Sequence, residues 1–197
     1  QKGNKNMKLS VVGYPRIGTL RELKFVSEAY FKHTIEQTEL KQTANRLRKT
    51  HWKTQLEHGI EFIPSNDFSF YDTTLDTAVL LNIIPARYQK LNLSPLDTYF
   101  AMARGYQGEN GDVKALAMKK WFHTNYHYIV PELDDEAEIR LCGTKAFDEY
   151  LAFVSAAGTK SFVQLIKDSE LDSPFEDGYV KELSAEVVQW MEQHHIK

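Results

Sequence analysis

The chain has 197 residues, of which 42% are hydrophobic and 26% are charged, a composition typical of globular proteins. A formal net charge of −3 argues against a globally basic nucleic-acid-binding protein. The one cysteine, Cys142, excludes both a disulfide framework and a cysteine-rich zinc site made by this chain alone. No apolar run approaches the ~20 residues that cross a bilayer, and the N-terminus lacks the apolar core of a secretory leader. We therefore expect no nucleic-acid partner, no membrane partner and a cytoplasmic location.

The first six residues, Gln1–Asn6, are polar and without pattern, and Met7 follows them. We expect Gln1–Asn6 to be a cloning remnant and the natural protein to start at Met7. Residues 7–197 are then long enough to form one domain that folds without disulfides or a metal ion.

Two short apolar runs predict buried strands. Leu9–Tyr14 is rich in β-branched residues and ends at a proline, and Ile60–Pro64 has the same apolar character. Because helical patterns separate the two runs, their order favours an α/β domain with a parallel sheet. In such folds the loops after the strands build the binding site, so residues 15–21 and 65–72 are candidate site loops on architecture alone.

Helical spacing of apolar residues predicts three helices in the first 85 residues. The first begins at residue 20 or 21, the second runs over residues 35–58, and the third runs from Thr73 to Ile84. The stripes expected to be buried are Leu23, Val26 and Tyr30 on the first helix, and Leu40, Ala44, Leu47 and His51 on the second.

The second helix carries signals at both of its ends. Thr34 followed by Gln37 has the spacing of a capping box, and Gly59 is a natural residue just past the C-terminus. On its buried stripe, His51 is expected to be a packed, hydrogen-bonded histidine.

The second half of the chain is less regular. Tyr106–Asp112 predicts an exposed loop, Val113–Phe122 a helix, and Thr124–Val130 a strand. Residues 144–157 predict a helix with Phe147, Leu151 and Val154 in register. The remaining predictions are a strand or helix start over 161–166, a linker over 169–177 and an amphipathic helix over 179–194.

Basic residues cluster where the first loop meets the first helix. Arg16, Arg21 and Lys24 lie in the segment GYPRIGTLRELK. A helix N-terminus attracts anions and disfavours cations, so an anionic ligand would explain their position. The alternative is a solvated charged face that pairs with Glu22 and Glu28. The glycine spacing matches neither a dinucleotide fingerprint nor a P-loop.

The second candidate is the loop DFSFYD, from Asp67 to Asp72. Its carboxylates and rings could bind a heteroaromatic ligand through stacking and hydrogen bonds. Alternatively, the segment is an ordinary turn in which Asp72 or Thr73 caps the next helix.

The third candidate is the segment KKWFHTNYHY, residues 119–128. His123 and His127 have the spacing of a metal-binding pair on a helix, which would suit a stand-alone metalloenzyme. Thr124 stands where an HExxH motif has its glutamate, and no third ligand is nearby in the sequence. The simpler interpretation is that the aromatic residues of this segment line a core or a pocket.

Six segments in a fixed order carry a family resemblance. They are GYPRIG, RELK, LRKTHW, GIEFIPSNDFSFYD, LDTYFAMARG and KKWFHTNYHYIVPE, and they span roughly Met7–Glu132. In this order they resemble the N-terminal half of the cobalamin-independent methionine synthase family. The likeness is weaker over residues 133–197. The family leads us to expect a long apolar strand and a Gly-Pro loop near residues 158–168, so either residues are missing after Gly158 or this stretch diverges from the family.

The resemblance implies a fold of (β/α)8 TIM-barrel type. Full-length members of the family have two such barrels packed face to face, so we expect this chain to be an incomplete N-terminal barrel from a larger enzyme. The implied reaction moves a methyl group from 5-methyltetrahydropteroyltri-L-glutamate to L-homocysteine, giving L-methionine without cobalamin. The implied zinc ion and its ligands belong to the C-terminal barrel, so we expect no catalytic and no metal-binding residue in this chain.

The resemblance also implies which residues bind the folate. By motif position, the residues expected to bind the folate and its glutamate tail are Arg21, Glu22, Leu23, Lys24 and Lys120. Further possible pocket residues are Arg16, Asp67 and Tyr71. The expected partners are the folate polyglutamate and the C-terminal barrel of the same enzyme. The alternative function is a non-catalytic scaffold for that zinc-bearing barrel.

Overall fold

The computed structural model of the protein describes residues 8–133, 135 and 137–157. In this part of the chain the helices are α1 (Glu22–Phe31), α2 (Gln37–Glu57), α3 (Thr73–Leu80), α4 (Ala86–Gln89), α5 (Pro95–Arg104) and α6 (Lys145–Ala157). The strands are β1 (Tyr106–Gly108), β2 (Gly111–Val113), β3 (Met118–Lys120) and β4 (His127–Ile129). None of these helices is long and apolar enough to cross a membrane. The predictions for residues 1–6, 161–166, 169–177 and 179–194 lie outside the described residues.

The first two predicted helices are confirmed, with differences of one or two residues at their ends. Gly59 adopts a left-handed conformation (φ 75°) just past α2, as expected for a glycine that ends a helix. The predicted apolar stripes are confirmed: Leu23, Leu40, Ala44, Leu47 and His51 are buried, and Val26 and Tyr30 are half-buried.

The capping box predicted at Thr34 is wrong. Glu36 occupies the N-cap position of α2 and contributes no capping side chain. Thr34 instead serves the preceding helix, because its hydroxyl and its backbone N–H both donate to Ala29 O, at 2.9 and 3.0 Å.

α3 is shorter than predicted and ends at Leu80 instead of Ile84. Asn82 adopts a left-handed conformation (φ 62°), which asparagine tolerates better than most residues. The N–H of the next residue then donates to Ala78 O at 2.8 Å and closes the helix.

The main hydrophobic core lies among α2, α3, α4 and α5. A smaller cluster of Leu23, Ala44, Leu47 and Phe68 joins α1 and α2 to the 65–72 loop. The buried members of the main core are Leu40, Leu75, Tyr88, Leu91, Tyr99, Phe100, Ala101, Met102, Ala103, Leu116 and Ile129.

The predicted parallel pairing of the two apolar runs is present at one point. Ser10 and Phe62 form an isolated parallel bridge. Leu9 O accepts the N–H groups of Glu61 and Phe62 at 3.0 and 3.1 Å. The two runs therefore meet in the predicted direction but do not extend into strands.

The surroundings of this bridge explain why the ladder is short. Leu9, Val12 and Phe62 are exposed, so no further strand or helix among the described residues covers them. Two-stranded pairs without a covered apolar face are only marginally stable. The described residues mix helices with short strands and form no closed barrel, so the (β/α)8 fold stays a prediction.

The exposed loop predicted over 106–112 is a β-hairpin. β1 pairs antiparallel with β2, with Gly108 opposite Gly111. Glu109 and Asn110 form the two-residue turn between them, and Gly111 has a φ of 121°, which only glycine adopts readily.

The helix predicted over 113–122 is wrong, because this segment runs into a second antiparallel hairpin, β3–β4. Its backbone bonds to neighbouring elements: Leu116 N donates to Met102 O at 2.9 Å, and Ala117 O accepts from Val130 at 2.8 Å. The predicted strand over 124–130 is confirmed in its last part as β4.

α6 is confirmed, but its predicted inward stripe is partly wrong. Phe147 is 53% exposed, and Leu151 and Val154 are half-buried. The buried residue is Glu149, whose carboxylate lies 2.7 Å from the Arg48 guanidinium on α2. A buried carboxylate needs a cation nearby, and Glu149 has two, since Lys145 on α6 also lies 3.1 Å from it.

Candidate folate-binding site

The two loops predicted to form the site are joined by hydrogen bonds. The N–H of Tyr14 donates to Asp67 Oδ2 at 2.7 Å. The Arg16 guanidinium donates to three successive carbonyls of the second loop, those of Ser69 (3.3 Å), Phe70 (3.1 Å) and Tyr71 (2.6 Å). The two candidate loops, residues 15–21 and 65–72, therefore lie side by side, and Arg16 and Asp67 are the side chains that join them.

The RELK segment begins α1 in an unusual backbone conformation. Arg21 is exposed and left-handed (φ 63°), with its N–H donating to Gly18 O at 3.1 Å. The Glu22 carboxylate accepts from Leu20 N at 3.0 Å. Gly18 is itself left-handed (φ 85°), and a side chain there would collide with Glu22. The chain therefore makes a tight turn over residues 18–21, and regular helical backbone begins only at Glu22.

The other two residues of the segment differ in accessibility. Leu23 is buried, and its N–H donates to Ile17 O at 3.1 Å, so it anchors the start of α1. The Lys24 ammonium is partly exposed, 3.5 Å from Glu28 and 5.9 Å from the centre of the Phe25 ring. The alternative of pairing with Glu28 is therefore correct for Lys24.

Lys120 lies on the β3–β4 hairpin, opposite His127. The side chains of Lys119 and Lys120 are both exposed. The hairpin loop presents Trp121, which packs edge-on against Phe122 with ring centres 5.4 Å apart. Phe122 is left-handed (φ 52°) and 79% exposed.

Asp72 connects this hairpin to the end of the 65–72 loop. Its carboxylate is buried, and Oδ1 accepts from the Tyr126 hydroxyl at 2.7 Å. Oδ2 accepts from the N–H of Leu75 at 3.0 Å, which caps α3, and from the N–H of Ile129 at 3.1 Å. The prediction that Asp72 is a helix cap is thus confirmed, and the same carboxylate also holds a distant hairpin.

The segments that carry the predicted site residues therefore attach to neighbouring points of one loop. The loop before Arg21 is held at Tyr71 O, and the hairpin that bears Lys120 is held at Asp72. Within the described residues, neither Arg21 nor Lys120 forms an ion pair with a carboxylate.

His51 lies beneath the first loop. Its ring stacks on Tyr14 with centres 4.5 Å apart, and the residue is buried, which confirms the packing expected of it. Burial lowers the pKa of His51, although the charges of Asp67 and Glu22 act in the opposite direction. A neutral imidazole therefore supports the loop at neutral pH.

Residues 8–167 match the family described as cobalamin-independent synthase, N-terminal domain. The chain belongs to this family. It is similar to proteins named 5-methyltetrahydropteroyltriglutamate–homocysteine methyltransferase. One from Campylobacter jejuni subsp. doylei is 63% identical over 145 residues, which are 74% of this chain and 19% of that relative.

Two further relatives bear the same name. One from Bifidobacterium animalis subsp. lactis is 54% identical over 170 residues, or 82% of this chain and 22% of the relative. One from Streptococcus sanguinis is 55% identical over 144 residues, or 73% of this chain and 19% of the relative. The chain thus spans only 19–22% of the length of these members of the cobalamin-independent synthase family.

The described residues do not fit the zinc ion that the family resemblance implies for the full-length enzyme. Nowhere in this part of the chain do three His, Cys, Asp or Glu side chains converge so that they could hold a metal ion. The hypothesis that His123 and His127 form a metal-binding pair on a helix is wrong, because these residues lie on a hairpin. His127 Nδ1 lies 3.1 Å from Asn125 O.

Sequence reasoning missed two tyrosines of this cobalamin-independent synthase domain. Tyr126 donates to Asp72, and Tyr99 OH accepts the N–H groups of Tyr71 (3.0 Å) and Asp72 (3.2 Å) while donating to Asp76 (2.7 Å). Both tyrosines lie in segments that carried the family resemblance, but no spacing rule points from either one to the 65–72 loop.

Proposed function

We propose that this chain is the N-terminal folate-binding part of an enzyme that transfers a methyl group from 5-methyltetrahydropteroyltri-L-glutamate to L-homocysteine, and that it is inactive on its own. The names of the relatives support this reaction, and the chain covers only a fifth or so of their length. In this proposal zinc, which suits thiolate activation, belongs to the C-terminal barrel.

One observation carries the binding proposal. The loop leading to Arg21 and the hairpin bearing Lys120 are both fastened to the 65–72 loop, while the two cationic side chains themselves remain exposed and without a carboxylate partner among the described residues. Each exposed ion pair with a tail carboxylate contributes only ~0–1 kcal/mol, so several must act together on a triglutamate. Lys24 must give up Glu28 to take part.

The remaining predicted residues have a more structural part in this proposal. Arg16 and Asp67 keep the two loops together, and Glu22 and Leu23 shape the start of α1. Tyr71 is half-buried at the point where Arg16 attaches. We propose that these residues hold the pocket in shape while Arg21, Lys24 and Lys120 contact the tail.

We further propose that the Ser10–Phe62 bridge is the seam between the first two strands of a (β/α)8 barrel. The parallel direction of the bridge and the exposed apolar side chains around it support this proposal. The zinc-bearing C-terminal barrel of the same enzyme is the proposed partner. The cytoplasmic location stays a prediction.

The test is calorimetric titration of the 197-residue chain with triglutamate and monoglutamate forms of methyl-folate at two salt concentrations. The triglutamate form should bind more tightly, and salt should reduce the difference. Replacing Arg21, Lys24 and Lys120 with alanine should abolish it. The matched control replaces Lys32, Lys49 and Lys90, which are also exposed, and changes the net charge equally. Equal affinity for both forms, or an equal loss in the control, would contradict the proposal.

The scaffold function is the second candidate, favoured by the exposed apolar side chains of Leu9, Val12 and Phe62. A scaffold without its partner barrel would bind neither folate. Absence of heat with either ligand at high micromolar concentration would therefore favour it over the folate-binding function.

A further inference from the structure

The β3–β4 hairpin is too small to hold its own position. Its strands have three residues each and pair at three positions only. A two-stranded hairpin of this size is at best marginally stable in water. Met118, Trp121 and Phe122 are exposed at 49%, 48% and 79%, so packing does not fix the tip. The base of the hairpin is packed, because Ile129 at the end of β4 is buried in the main core. The position of Lys120, nearer the exposed tip, also depends on bonds to another element.

Those bonds converge on one carboxylate. Asp72 receives a side-chain hydrogen bond from Tyr126 in the hairpin loop and a backbone hydrogen bond from Ile129 at the end of β4. Both donors come from residues more than fifty positions away in the chain. Burial and the Asp72 hydrogen bond raise the pKa of Tyr126, so its hydroxyl remains a donor at neutral pH.

Asp72 is itself fixed by a hydrogen bond to a residue of the main core. Its N–H donates to the Tyr99 hydroxyl, which in turn donates to Asp76 Oδ1 at 2.7 Å. Tyr99 is buried in the main core. A continuous series of hydrogen bonds therefore runs from Tyr99 in the core, through Asp72 in the 65–72 loop, to Tyr126 in the hairpin loop.

We propose that Asp72 is a positioning residue, whose buried carboxylate holds the β3–β4 hairpin so that Lys120 stands beside the loop fastened by Arg16. The inference rests on the proposed folate-binding function for its effect on ligand, but the anchoring of the hairpin is independent of any ligand. Asp72 touches no ligand in this proposal and acts only through Lys120.

Two variants test the contacts of Asp72 with the hairpin separately from its capping of α3. Asp72→Ser keeps an N-cap acceptor for Leu75 but is too short to reach Tyr126 and Ile129 together. Tyr126→Phe removes one hydroxyl and leaves the cap intact. Tyr128→Phe is the matched control, since no hydrogen bond of the Tyr128 hydroxyl is found among the described residues, and its ring packs on Trp121 in the same hairpin.

The first readout is amide hydrogen exchange, which follows local opening. The Ile129 amide should exchange about five-fold faster in Tyr126→Phe, the change expected for a net hydrogen-bond contribution of ~1 kcal/mol. It should exchange faster still in Asp72→Ser, while the Leu75 amide stays protected. The control should match the parent. Unchanged Ile129 exchange in both variants would overturn the proposal.

The second readout is the ratio of triglutamate to monoglutamate affinity. Asp72→Ser should lower this ratio to that of Lys120→Ala, with no further loss in the double variant, because both changes remove the same contact. An equal loss of affinity for both folates, or losses that add, would overturn the positioning role. If the parent shows no preference for the triglutamate, the folate-binding function fails, and the exchange readout still decides whether Asp72 anchors the hairpin.

Discussion

The helical core and the β3–β4 hairpin contrast in how they use their side chains. Leu40, Leu75, Tyr88 and Met102 of the core are fully buried. On the hairpin, the side chains from Met118 to His127 are all exposed. The residues that keep the chain folded are thus largely different from those available to a ligand. Stability and ligand binding should therefore respond to different substitutions, and the following predictions test this separation.

The largest loss of stability is expected at the buried ion pair of the helical region. Glu149→Ala leaves the Arg48 guanidinium, 16% exposed, without its carboxylate. Breaking a buried pair in this way costs about 3–5 kcal/mol in the free energy of unfolding, measured by urea denaturation. The control is Glu57→Ala, which breaks the exposed pair with Lys53 and should cost ~0–1 kcal/mol. Similar losses in both variants would show that burial does not decide the effect.

Truncation of the core is the next effect in size. Leu75→Ala should lower the free energy of unfolding by about 2–5 kcal/mol, because Leu75 is fully buried and its removal leaves a cavity. Leu56→Ala removes the same atoms from a side chain that is 40% exposed and should cost clearly less. Equal midpoints of urea unfolding for the two variants would contradict the assignment of the core.

A smaller, pH-dependent effect is expected at His51. Because the pKa of His51 is lowered in the folded state, the unfolded chain takes up a proton first, at about pH 6.5. The stability that the neutral ring provides is present above this pH and is lost as the pH falls below it. His51→Gln should flatten this part of the stability profile. An unchanged slope in His51→Gln would contradict this assignment.

The smallest effect is expected at the hairpin tip. Phe122→Ser should change the free energy of unfolding by no more than ~0.5 kcal/mol, since Phe122 is 79% exposed. Its contact with Trp121 is lost, but the left-handed backbone is relieved of a bulky residue. A loss above 1 kcal/mol in urea unfolding would mean that the tip is part of the core after all.

The helices could be predicted where the signal is local. The buried stripe of α2 follows from spacing alone, since Leu40, Ala44 and Leu47 recur on one face. The same reasoning failed on α6, where Phe147 is exposed and Glu149 is buried. A hydrophobic pattern cannot foresee that Arg48, about a hundred positions earlier in the chain, supplies a cation for the buried Glu149 carboxylate.

The site could be predicted in its parts but not in its connections. The order of strands and helices selected the two loops as candidates, and the family resemblance selected Arg21 and Lys120. The role of Arg16 as a clamp on three carbonyls depends on the path of a second loop that has no local signature. The second role of Asp72 could not be predicted either, because its cap on Leu75 is local in sequence whereas its bond to Ile129 is not.

The sequence by itself determined the family, the positions of α1, α2 and α6, and the buried stripe of α2, because ordered motifs and helical periodicity are written in neighbouring residues. Only the tertiary structure decided that residues 113–122 lead into a hairpin, that Thr34 bonds backwards to α1, and that one buried carboxylate joins a helix start to β4. Those outcomes depend on which distant donors and acceptors are brought together, and buried polar groups must find such partners wherever the chain supplies them.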